Sequence, residues 1–264
     1  MRRRFAIHKT KTFDYSNYLT IEALEDNLTV TFTNDIEYTI DGNEWITLKA
    51  SSESQPINIG QTLSFRGELI PNKSNGIGTF TINKRCNLKG NCMSMLFGDN
   101  AANNYSLRGK NYAFYGLFQG CSDIVNVDSN FLPATTLTDF CYDHMFYGCT
   151  SLTTAPELPA TTLELECYGY MFQNCSSLTT APELPATTLV SFCYIYMFYG
   201  CTRISTIRCR ARKKDVTSTY LSPTDSWLNR ISVKTGNFYG YSTYGWGSGA
   251  SGIPKGWKFF ELTD

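Results

Sequence analysis

Between Asn111 and Thr202 this 264-residue chain has no lysine and no arginine, although it carries 23 basic and 23 acidic residues in all. Asp123, Asp128, Asp139, Asp143, Glu157, Glu164, Glu166 and Glu183 make the same block uniformly acidic. Binding to phosphate backbones needs Lys and Arg on the contact surface, so that block is a poor nucleic-acid reader and no nucleic-acid partner is expected. Nor is there a window near the roughly 18 consecutive apolar residues of a membrane span. The N-terminus, MRRRFAIHKTKTF, has a positive start but no apolar run or small-residue cleavage site after it, so no secretory signal is expected. The basic groups gather instead at Arg2, Arg3, Arg4, Lys9 and Lys11, and again from Arg203 to Lys214. They read as a solvated tail and cap, or as docking groups for an acidic partner or another copy's repeat block.

Chemistry-bearing motifs are equally sparse. There are two histidines, no CxxC pair, no HExxH, no GxSxG and no GxxxxGK, which removes the usual zinc, serine-hydrolase and phosphate-loop signatures. His144 follows Cys141 by three residues, a spacing that brings thiol and imidazole close on a helix. The same slot is Tyr170 and Tyr196 in the following repeats, so a surface ring in a variable column is the simpler reading. Neither an enzyme nor a cofactor is expected. Glu157 and Glu183 recur one repeat apart and read as a solvated edge, with calcium binding as the alternative.

What the chain does have is repetition. SLTTAPELPATTL stands at 151–163 and again, unchanged, at 177–189. Cys141, Cys167 and Cys193 are 26 apart, as are Cys149, Cys175 and Cys201, and Phe146, Phe172 and Phe198. Adding Phe118 and, more weakly, Phe97 gives five units with steps of 21, 28, 26 and 26. A fixed period of about 20–50 residues predicts an array in which each unit buries its apolar side against its neighbours. Recurring thiols in such an array read as buried small hydrophobes, with disulfides or metal binding as the other two readings.

Within a unit, Leu163, Cys167 and Met171 fall at i, i+4 and i+8, which predicts a helix of about three turns with Thr161 or Thr162 as N-cap. Pro182 and Pro185 predict an extended, non-helical segment between helices. Ahead of the repeats, YLTIEALED, LTVTFTN, IEYTIDGNEWITL, TLSFRGEL and IGTFTIN alternate apolar with polar residues and are broken by turn formers such as Asp41-Gly42 and Asn75-Gly76. The predicted architecture is mixed α and β. A basic segment (1–11) precedes an antiparallel β-sandwich (12–85), a five-rung solenoid (86–210) and an aromatic, Gly-rich, β-rich C-terminal cap (211–264). Trp45 and Tyr38 are read as core.

The run MFxGCTSLTxAPxLPxTTLxxxCYxxMF, at Met145 to Phe172 and Met171 to Phe198, resembles BspA-like leucine-rich repeats, common in surface and phage-encoded proteins of gut anaerobes. That resemblance implies a leucine-rich-repeat solenoid and a role in contact: adhesins, host-contact proteins, phage fibres or virion decoration. Without a secretion signal, a virion component is favoured over a bacterial cell-surface adhesin. The expected partners are other virion or surface proteins and host glycan, with a homo-oligomeric assembly. Between repeats the Leu, Cys, Met, Phe and Pro positions are constant, while Tyr147, Tyr170, Tyr196, Tyr199 and His144 occupy positions that vary. Those five, with Tyr239, Tyr241, Tyr244 and Trp246 of the cap, form the candidate contact surface, because exposed Tyr and Trp are favoured at protein and glycan contacts.

Overall fold

The computed structural model of the protein describes residues 13–211, 222–241, 246–249 and 251–263. The expected mixed α and β architecture and its leucine-rich-repeat solenoid are overturned. Among the described residues the chain is mostly β; their single α-helix, α1 (Ser94–Phe97), has four residues, and the strands form open sheets rather than a solenoid. Before α1 come β1 (Leu19–Ala23), β2 (Val30–Phe32), β3 (Ile36–Ile40), β4 (Ile46–Leu48), β5 (Thr62–Arg66), β6 (Phe80–Ile82) and β7 (Cys86–Gly90). After it come β8 (Ile124–Val127), β9 (Thr206–Arg208), β10 (Asn237–Gly240) and β11 (Lys258–Glu261).

A six-stranded sheet runs β4-β3-β5-β1-β7-β8, a two-stranded ribbon pairs β2 with β6, and a parallel sheet runs β11-β10-β9. The Asp41-Gly42 turn joins β3 to β4 in antiparallel register, Ile36 opposite Leu48; both turn residues adopt positive φ (50° and 72°), the geometry a tight hairpin requires. The Asn75-Gly76 turn does not join a hairpin: β5 pairs with β1 and β3, whereas β6 pairs with β2. Phe80 on β6 ties the ribbon to the sheet, its ring 4.6 Å from Phe32 and 5.0 Å from Phe65. The central strands β1 and β5 are buried on both faces, so their second face carries a polar pair, Thr20 and Ser64, joined at 2.8 Å. Of the two residues read as core, Tyr38 is buried. Trp45 is half-buried, with Arg66 4.2 Å over its ring.

The expected helices of the repeats are runs of turns, 111–120, 139–148, 165–174 and 191–200, and a further run of the same kind spans 223–230. In each run every fourth residue takes positive φ: Phe140, His144 and Gly148 in the second, Glu166, Tyr170 and Asn174 in the third, Phe192, Tyr196 and Gly200 in the fourth. A left-handed residue at that interval ends any helix before its second turn. Alternate amides then serve different partners. Met145 and Tyr147 N–H donate three residues back within their row, to Tyr142 and His144, whereas Tyr142, His144 and Phe146 donate to the carbonyls of Cys167, Gly169 and Met171 in the next. The same step repeats from Tyr168, Tyr170 and Phe172 to Cys193, Ile195 and Met197. Nearly every amide of these rows therefore has a partner, which is what a buried backbone requires.

Side chains line up as a result. Phe118, Phe146, Phe172 and Phe198 form a column with ring centroids 5.7–5.8 Å apart and planes within 6°. Beside it Cys149, Cys175 and Cys201 each donate a thiol hydrogen to the preceding row's Phe carbonyl at 3.3, 3.1 and 2.9 Å. All ten cysteines are buried free thiols.

Candidate contact surface

The turn rows place one set of rings at the protein surface. His144, Tyr170 and Tyr196 occupy the same slot of successive rows, all half-buried. Tyr170 is stacked on both sides, 4.4 Å from His144 at 13° and 5.1 Å from Tyr196 at 3°. Tyr115 and Tyr147 each lie 5.5 Å from His144, and Tyr199 lies 5.3 Å from Tyr196. The guanidinium of Arg230 sits 5.1 Å over Tyr199. Five of the nine candidate residues therefore meet in one stripe. Because their faces cover one another, the half-buried rings offer edges and hydroxyls to a partner.

The backbone under these rings is informative. The slot requires left-handed φ, 58° at His144, 54° at Tyr170 and 50° at Tyr196, while equivalent demands at 116, 120, 148 and 200 are met by glycine. An L-residue there costs about 1–2 kcal/mol relative to the right-handed form, and ring stacking returns about 0.5–1.5 kcal/mol per pair. The rings are held in place against a local preference for Gly or Asn.

Carboxylates flank the stripe. Asp143 is only 3 % exposed, and its Oδ1 lies 2.7 Å from His144 Nδ1. Burial pushes its carboxyl above the usual range, partly offset by the imidazole. Glu166, half-buried beside it, is pushed up to about 7, first by desolvation and then by the Asp143 charge. Gly169 makes room for both: a Cβ there would lie 2.7 Å from Glu166 Cγ and 3.2 Å from Asp143 Oδ1. The same slot in the next row is Ile195.

Cys141 and His144 do not form a dyad. Cys141 Sγ is directed at the carbonyl of Cys167 at 3.9 Å, its thiol pushed up to about 12 by burial, while the imidazole engages Asp143. Glu183 is paired with Arg210 at 2.6 Å, and among the described residues no group of three or more His, Cys, Asp or Glu is placed to hold a metal ion.

The cap candidates separate. Tyr239 lies on β10 opposite Arg208 and Phe260, the guanidinium 4.9 Å over its ring on one side and Phe260 5.0 Å away on the other. Tyr241 follows it, its hydroxyl 3.5 Å from Arg210. Trp246 is buried, stacked 5.5 Å from Trp227 and 5.0 Å from Phe238, so it seals the last row rather than meeting a partner. Tyr244 lies outside the described residues.

Sequence reasoning missed the fifth row, 223–230, whose backbone carbonyls at Pro223, Asp225 and Trp227 accept from Tyr194, Tyr196 and Phe198. Trp227, 6.3 Å from Tyr194, continues the buried ring column of Phe114, Tyr142, Tyr168 and Tyr194. An aromatic residue 29 positions after Phe198 was the available signal. Tyr115 and Arg230, at the two ends of the stripe, were missed as well.

No family model, curated protein or solved structure matches the chain.

Proposed function

We propose that this chain is a non-enzymatic interaction protein of a phage virion or fibre, and that the ring stripe from Tyr115 to Tyr199 is its contact surface for a partner protein or host glycan. The observation that carries the contact role is the left-handed backbone at His144, Tyr170 and Tyr196. Unselected solvent positions drift toward the residues a left-handed slot favours, and these three hold rings instead. The virion setting is supported by the resemblance of the repeats to BspA-like sequences, and the acidic, lysine- and arginine-free block supports a partner that is not a polyanion.

Two measurements test this reading. Mass spectrometry of particles purified from a culture carrying the gene is expected to find the chain at constant copy number; its presence in the cell envelope alone would replace the virion with an adhesin. The triple variant His144→Gly, Tyr170→Gly, Tyr196→Gly is expected to lose adsorption of the labelled chain to host cells or to the purified particles by about tenfold or more, the equivalent of about 1.4 kcal/mol. Its melting temperature should stay within a few degrees, because relieved backbone cost and lost stacking are of similar size. Adsorption equal to that of the parent chain would remove the stripe from the contact.

A further inference from the structure

A second surface runs along the repeated ELPATT segments and shares no residue with the ring stripe. Glu157, Pro159 and Thr161 of one repeat, Glu183, Pro185 and Thr187 of the next, and Arg210 line a groove of about 660 Å³. Each repeat contributes the same three groups to it: a carboxylate (Glu157, Glu183), a pyrrolidine ring (Pro159, Pro185) and a threonine hydroxyl (Thr161, Thr187). Leu158 is buried beneath. The third wall comes from the chain around Cys209, which bridges in parallel to Leu184 and brings Arg210 Nε to 2.6 Å from Glu183 Oε1.

Comparison of the two repeats within this one chain marks the groove as a maintained surface. Residues 151–163 and 177–189 are identical, including the exposed Thr153, Thr154, Glu157, Thr161 and Thr162. The next thirteen residues, 164–176 against 190–202, differ at seven positions: 164, 165, 166, 169, 173, 174 and 176. Duplication alone leaves both stretches equally alike. Core packing accounts for Leu158, Ala160 and Leu163, and a hydrogen bond to the Val125 carbonyl for Thr153, but neither accounts for the exposed Glu157 and Thr161.

The lining also states what fits. Subsites of the same residue types one repeat apart, differing in that Arg210 pairs with Glu183 and not with Glu157, match a ligand built of repeating units. Just ahead of the groove the two repeats are in parallel register, Thr154 bridging Thr180; the spacing of such a pairing, about 4.8 Å, is close to the advance per unit of an extended polysaccharide. Carboxylates, a guanidinium and hydroxyls are the groups that hydrogen-bond vicinal diols, and the proline rings supply the apolar wall for sugar C–H faces. Two carboxylates against one guanidinium, in a block without lysine or arginine, disfavour a polyanion. We propose that this groove binds a linear neutral polysaccharide, one sugar unit facing each Glu-Pro-Thr set.

Affinity electrophoresis of the full chain tests this, in native gels containing hydroxyethylcellulose, laminarin, glycol chitin or galactomannan, with heparin as the polyanion. At least one neutral polymer is expected to retard the chain. The variant Glu157→Ala, Thr161→Ala is expected to weaken that retardation by about tenfold or more, and the stripe triple-glycine variant is expected to leave it unchanged. Glu157 makes no ion pair among the described residues and Thr161 is exposed, so an unchanged melting temperature should accompany the loss. No retardation by any of the four neutral polymers, retardation by heparin alone, or retardation that survives the groove variant would each overturn the assignment, whatever the stripe does.

Discussion

The antiparallel sheet around β1, β5 and β7 and the turn rows from 111 to 230 solve the same problem, burial of polar backbone, in opposite ways. In the sheet each strand gives its hydrogen bonds to its neighbours, register is set by a two-residue alternation, and unlike side chains interlock: Ile21 lies between Leu63 and Leu88. In the rows half of the amides close turns and half reach the next row, register is set by a four-residue period of left-handed residues, and like side chains face like. The sheet derives its specificity from shape, whereas the rows derive theirs from repetition. A defect should therefore spread differently in the two.

The largest expected effect comes from Phe172→Ala. That ring lies between Phe146 and Phe198 at 5.7 and 5.8 Å and is fully buried, so truncation is expected to cost about 3–5 kcal/mol. Hydrogen exchange is the measurement that sharpens the comparison. Amides of 139–148, 165–174 and 191–200 should lose protection while those of β1, β5 and β7 keep it, since each row bonds only its neighbours. An equal loss in β1 would show one cooperative unit extending through Phe118, Phe80 and Phe65, whose rings connect the two regions at 5.3 and 5.0 Å.

A smaller effect, about 1–3 kcal/mol, is expected from Gly169→Val. The new side chain would press on Glu166 Cγ and Asp143 Oδ1, although Ile195 occupies the same slot one row on without difficulty. Thermal unfolding of this variant against Gly169→Val with Glu166→Ala separates crowding from any backbone preference. Recovery in the double variant is the expected result; without it, the glycine serves the row and not the carboxylates.

Strand positions before residue 85 were legible because alternation and turn chemistry agree: IEYTIDGNEWITL reads as the β3–β4 hairpin and forms it. The repeat period was legible for the same reason, as an identity rather than a propensity. Its secondary structure was not. Leu163, Cys167 and Met171 at i, i+4 and i+8 fit a helix of period 3.6 and equally a turn run of period four, and only the backbone sign at Glu166 and Tyr170 distinguishes them. Nothing in a tyrosine or a phenylalanine announces positive φ. The stripe was legible as varying ring positions, but Asp143 and Glu166 became its partners only through the opening at Gly169, and Arg230 only through a fifth row that lacks the repeat's motif. Trp246, chosen for exposure, was misplaced because a Gly- and Ser-rich composition says nothing about which ring seals the last row.

The smallest expected effect is a pH dependence confined to the rows. Asp143 and Glu166 are both shifted upward, chiefly by desolvation, Glu166 to about 7. Between the ordinary carboxylate range near about 4 and about 7, the folded chain holds protons that the unfolded chain has released. Stability must therefore fall as pH rises through that window and level off above it. The groups facing Glu166 are Asp143, His144, Tyr115 and Tyr170; the two tyrosines are themselves raised, first by burial and then by these carboxylates, so they stay neutral across the window. Glu22, Asp35 and Asp99 in the N-terminal region are shifted downward by Lys89, Lys49, and Tyr18 with Arg66 respectively, and they act in the opposite sense only at lower pH. Melting temperatures from pH 5 to 8 should fall for the parent chain and fall less for Glu166→Gln, with Asp143→Asn removing part of what remains. A slope unchanged in Glu166→Gln would place the titrating group outside the rows and dissolve the electrostatic half of the contrast between the two regions.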